Sequence, residues 1–83
     1  MWILIVDDER LVRVTFCLML EELVTDGLEV DEAAGSTQME ALLKQRSYDI
    51  VFLDINLTGD DGLNALERVR DIYPNIIWCI ITG

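Results

Sequence analysis

The 83-residue sequence predicts an α/β fold built on a parallel sheet, and three observations carry that prediction. Apolar runs at Trp2 to Val6, Ile50 to Leu53 and Ile76 to Ile81 have the length and β-branching of strands, and the run at Ile50 to Leu53 reads as buried on both faces. Between the strands lie segments whose apolar residues recur at helical spacing. The resulting order, β-α-β-α-β-α-β, implies parallel strands joined by right-handed crossovers.

The first strand, Trp2 to Val6, ends abruptly at Asp7, Asp8 and Glu9. A helix is expected from about Arg10 to Thr25, with Val12, Phe16, Met19, Leu20 and Leu23 on its apolar side and Gly27 as a natural stop. Leu28 to Ala34 alternates weakly and carries three acids, which suits an edge strand. Gly35, Ser36 and Thr37 open a second helix that ends near Ser47. Its Thr37 and Glu40 have capping-box spacing, and Ala41, Leu42 and Leu43 give it an apolar side. The third strand runs from Asp49 to Asp54. After a turn at Gly59 to Gly62, Leu63, Leu66, Val69 and Ile72 mark one face of a third helix, closed by Pro74. Ile76 to Ile81 forms the fourth strand and leads into Thr82 and Gly83.

Composition narrows the function. The chain is long enough for one domain at most, and its 52% apolar content places it among globular proteins. Sixteen acidic residues against six basic ones give a net charge of −10. That balance argues against nucleic acid and against anionic membrane surfaces, since phosphates need Lys and Arg. It leaves cations and basic partners, or simply solubility. Cys17 and Cys79 have neither metal-site spacing nor the density of a secreted scaffold, so both are expected as reduced core residues. The N-terminal apolar run is too short for a signal peptide or a membrane span, and a cytoplasmic location is the default expectation.

Asp54 is a lone carboxylate at the end of a buried strand, which is where open α/β sheets bind ligands. A helix cap or a turn aspartate is the plainer reading of one such residue. Asp7 and Asp8, however, end the first strand, and Thr82 ends the fourth. If the first and third strands are neighbours, three carboxylates converge, and each like-charge pair costs roughly 4 kcal/mol at 4 Å with an effective dielectric of about 20. Such a cluster calls for a cation. Hard oxygen ligands partly open to water suit Mg²⁺, which often serves phosphate chemistry.

The stretches ILIVDDE at 3 to 9, YDIVFLDINLTGDDG at 48 to 62 and IIWCIITG at 76 to 83 resemble the receiver domain of two-component response regulators. The resemblance spans the whole chain. It implies a flavodoxin-like (CheY-like) sheet of order 2-1-3-4-5 and a phosphoryl group accepted on Asp54 from the histidine of a sensor kinase. It also implies Mg²⁺ held by Asp8 and Asp54 directly, by Asp7 mainly through water, and by the backbone carbonyl of Asn56. Thr82 matches the switch hydroxyl that bonds a phosphoryl oxygen. A receiver is an acceptor and not a turnover enzyme.

Two departures from the family pattern stand out. Thr58 occupies a position usually held by proline. Residues 1–83 correspond to the N-terminal part of a receiver, without the fourth helix, the fifth strand with its phosphate-pairing lysine, and the fifth helix. Lys44, the only lysine, falls on the second helix. Slow phosphorylation is therefore expected, together with a homodimer in which two copies of Ile76 to Ile81 pair antiparallel about a two-fold axis. Two rival readings remain at this point. VFLDINLT partly fits the first motif of haloacid-dehalogenase-like phosphatases, although Asn56 replaces its second aspartate. An inert receiver remnant that serves self-association or protein interaction is the other.

Overall fold

The computed structural model describes residues 1–24, 26–56 and 62–81. Its elements run β1 (Trp2–Val6), α1 (Arg10–Leu23), β2 (Glu29–Ala33), α2 (Ser36–Gln45), β3 (Ile50–Asp54), α3 (Gly62–Val69) and β4 (Ile77–Ile81). All pairings are parallel and the strand order is β2-β1-β3-β4. The expected edge position of β2 and the adjacency of β1 and β3 both hold.

The two-residue period of a strand sends alternate side chains to opposite faces. Leu4 and Val6 of β1, with Val51 and Leu53 of β3, pack against Met39 and Leu43 of α2 and Ala65 and Val69 of α3. On the other face lie Ile3 and Ile5, both buried, and Phe52 beside Ile5 in the register. There α1 covers the sheet, with Phe16 meeting Phe52 at 4.8 Å between ring centroids.

Several expectations need correction. No residue of α1 is buried, and Met19 and Leu23 are exposed rather than packed, while Val12, Phe16 and Leu20 are half-buried. The anticipated capping box is absent: Gly35 is the N-cap, Thr37 lies inside α2, and Glu40 pairs with Arg68 at 3.3 Å. Gln38 instead reaches back to accept the Ala34 N–H at 2.9 Å. In α2, Leu43 is buried but Ala41 is exposed. In α3 the buried residues are Gly62, Ala65 and Val69, with Leu66 packed beside them, whereas Leu63 and Ile72 are exposed. The helix stops at Val69, well before Pro74. The two cysteines are free but only half-buried.

At Gly27 the backbone φ is +71°, a left-handed conformation that glycine adopts without steric cost, as expected for the stop after α1. No helix among the described residues is long and apolar enough to cross a membrane.

Candidate functional site

The chain leaves β1 toward β2 and returns on the other side of β1 to form β3, so the strand order reverses between β1 and β3. At such a reversal the connections diverge and open a crevice beyond the carboxyl ends of the strands. Val6 faces Leu53 in the register, which brings Asp7 and Asp54 side by side at that opening. With Asp8 they form a cluster in which one carboxylate oxygen of each residue lies within 4.8 Å of the others.

Burial differs within the cluster. Asp7 and Asp54 are buried, at 4% and 7% exposure, while Asp8 stands more open to water. Each buried carboxylate accepts one backbone hydrogen bond from two residues onward: Glu9 N–H donates to Asp7 Oδ1 and Asn56 N–H to Asp54 Oδ1, both at 2.8 Å. These bonds fix the side chains at the mouth of the crevice. Burial pushes the Asp7 carboxyl above its usual range; the Glu9 N–H opposes that rise, and the neighbouring charges of Asp54 and Asp8 add to it.

The donor set fits a hard divalent cation. All three ligands are oxygens, the charges repel one another unless neutralised, and the open side at Asp8 leaves room for water. Asn56 meets the site through its backbone N–H on Asp54. Thr82 and Thr58, with the rest of 57–61, lie outside the described residues.

Two residues that support this geometry went unassigned in the sequence. A Cβ built on Gly62 would sit 2.6 Å from the Asp54 carbonyl oxygen and 2.7 Å from Ile55 Cα. Glycine is required there for close approach of α3 to the end of β3, and its conformational freedom in a turn is not the reason, because its φ is not positive. Arg13, in the first turns of α1, donates from Nη1 to the Asp7 carbonyl at 2.6 Å. Its signal in the sequence was only a cation five residues past the acidic pair.

The model of the response regulator receiver domain matches residues 3–83. The chain belongs to the response regulator receiver family. Among its relatives, the alginate biosynthesis transcriptional regulatory protein AlgB of Pseudomonas aeruginosa is 39% identical over 81 residues, which is 98% of this chain and 17% of AlgB. The solved response regulator TrrA of Thermotoga maritima, in complex with Mg²⁺-BeF, is 30% identical with a TM-score of 0.85, over 98% of this chain and 68% of that one. NtrX of Brucella abortus, solved with ATP, is 32% identical with a TM-score of 0.87, over 99% of this chain and 18% of NtrX. The receiver match gives no support to the haloacid-dehalogenase-like phosphatase reading or to an inert remnant. This chain is a two-component receiver module of CheY-like fold, and it spans only about a sixth of the curated relative it matches.

Proposed function

We propose that this receiver accepts a phosphoryl group on Asp54 from a phosphohistidine of a sensor kinase. The convergence of Asp7, Asp8 and Asp54 at the β1/β3 crevice carries the reading. An Asp54 carboxylate oxygen attacks phosphorus, the P–N bond to the imidazole breaks with its electron pair leaving on nitrogen, and an aspartyl phosphate forms. Asp8, Asp54 and the Asn56 carbonyl would hold Mg²⁺, with Asp7 acting mainly through water. A bound Mg²⁺ supplies neutralisation of the charge on the transferring phosphoryl oxygens. The Asn56 N–H orients the attacking carboxylate. Thr82, which follows Ile81, the register partner of Asp54, is assigned the switch hydroxyl.

The test uses acetyl phosphate as donor, with acetate as the leaving group. Intact mass should rise by one phosphoryl group in the presence of Mg²⁺, and the gain should be absent without Mg²⁺ and in Asp54→Asn. Transfer at equal yield in Asp54→Asn would contradict the assignment. The module is assigned no catalytic turnover, so hydrolysis of generic phosphate monoesters should stay at the buffer rate. Free Cys17 and Cys79 accord with a reducing, cytoplasmic compartment.

A second copy of the chain is proposed to pair along β4. That strand hydrogen-bonds only β3 among the described residues, and its Ile77 and Ile80 are 62% and 44% exposed. An apolar strand edge of this kind is a template for another strand. Sedimentation should give a dimer at micromolar concentration, and Ile80→Lys, which places charge at a partly exposed position of the edge strand, should yield monomer. A folded wild-type monomer would contradict the pairing.

A further inference from the structure

We propose that Arg13 is a positioning residue that sets where Asp8 stands relative to Asp54. The last ladder bond at the end of β1 runs from Asp7 N–H to the Ala33 carbonyl, at 3.1 Å. Strand β2 ends at Ala33, so the Asp7 carbonyl lies beyond the ladder. Arg13 Nη1 takes that oxygen at 2.6 Å, while its Nε donates to Glu32 Oε1 on β2 at 3.1 Å. The guanidinium thus spans from β2 to the first backbone unit of the acidic loop.

The peptide unit is planar, so fixing the Asp7 carbonyl also fixes the direction of the Asp8 N–H and the placement of Asp8 Cα. Asp8 is the more open of the three carboxylates. Mutual repulsion among them would splay the loop, and the Asp8 side has least packing to resist it. Arg13 provides that resistance from a side chain only 14% exposed, with its planar fork giving two bonds in a fixed relation. Lysine, a single point charge, cannot reproduce both. Glu32 aims the fork and balances its charge, because an uncompensated cation beside a cation site would oppose metal binding. The Arg13 and Glu32 ion pair adds little to stability by itself, since Glu32 is 40% exposed.

This inference rests on the metal reading of the Asp7, Asp8 and Asp54 cluster, and the experiment separates the two. Mg²⁺ is titrated into the folded wild-type chain, R13M, R13K, E32Q and D54N, with heat as the readout and circular dichroism verifying fold. Loss of a residue that orients metal ligands typically weakens affinity about 10-fold or more, and R13M is expected to do so. R13K should recover only part of the loss. E32Q should weaken binding in a manner that added salt reduces, because its effect is one of charge, while the R13M deficit should not shrink with salt, because the loss of a cation partly offsets it and salt screens that offset. If R13M fails to fold, R13K decides: weakened binding supports the role and wild-type Kd overturns it. A folded R13M with wild-type Kd and only a lower melting point would reduce Arg13 to a structural residue. Wild-type Mg²⁺ binding by D54N would overturn the metal reading itself, whereas loss in D54N with no change in R13M would overturn the Arg13 role alone.

Discussion

Asp7 is held in a setting that resists its own ionisation. Two buried carboxylates with a third within 4.8 Å repel one another in the metal-free protein. Removing one charge should therefore stabilise that form at neutral pH. Asp54→Asn is expected to raise metal-free stability by roughly 1 to 2 kcal/mol, below the ~4 kcal/mol of a full pair at 4 Å because water at Asp8 screens the field. Chemical denaturation in excess chelator measures it. Asp7 adds a pH dependence. Its carboxyl is raised from 3.8, chiefly by burial. The folded state thus holds the proton more tightly than the unfolded one, and this contribution to stability is complete below the unfolded value. It is lost as pH rises through the raised folded value. Asp7→Asn should flatten that limb of the stability profile, which lies above the ordinary value of 3.8, and an unchanged profile would remove Asp7 as its source. Gly62 belongs to the same scale. Gly62→Ala forces a methyl to within 2.6 Å of the Asp54 carbonyl, so α3 or the end of β3 must shift. A loss of about 1 to 3 kcal/mol is expected, as for other overpacked sites, with weakened Mg²⁺ binding.

At the scale of elements, β1 and β3 are the rigid parts and α1 the loosely held one. Leu4, Ile5, Val6, Val51 and Leu53 are fully enclosed, whereas α1 buries no residue completely, and Phe16 on Phe52 is one of its contacts with the sheet. Phe16→Ala should expose amides of α1 to hydrogen exchange while those of β1 and β3 stay protected. Equal loss of protection in all three would show that α1 and the sheet open as one unit. The same contrast explains what the sequence made legible. A strand buried on both faces prints an unbroken apolar run, so β1, β3 and the carboxylates at their ends could be read directly. The face of α3 could be read only in part: Leu66 and Val69 pack as their spacing implies, but Gly62 and Ala65 pack by being small, which hydrophobic periodicity does not register. Leu63 and Ile72 fit the helical period but point to solvent. The cap of α2 misled for a similar reason: Thr37 had the right spacing, but the chain turns at Gly35, one residue before the helix begins. Arg13 acts through a backbone carbonyl, a contact that leaves no pattern in residue types.

For the whole molecule, a metal-binding site made of repelling carboxylates links folding to cation concentration. A ligand at 100 times its Kd stabilises the state that binds it by about 2.7 kcal/mol. In a domain of this size that corresponds to a rise in Tm on the order of 10 °C. Saturating Mg²⁺ should produce such a rise in the wild-type chain and none in Asp54→Asn, whereas an equal rise in both would assign the effect to general screening of the −10 net charge. Closest to the central claim is the identity of the phosphorylated residue. After reaction with acetyl phosphate and Mg²⁺, borohydride reduces an aspartyl phosphate to homoserine, which peptide mass spectrometry locates. Homoserine at position 54 is the predicted result. Homoserine at position 7 or 8, or unmodified Asp54 in protein that has gained a phosphoryl group, would contradict it.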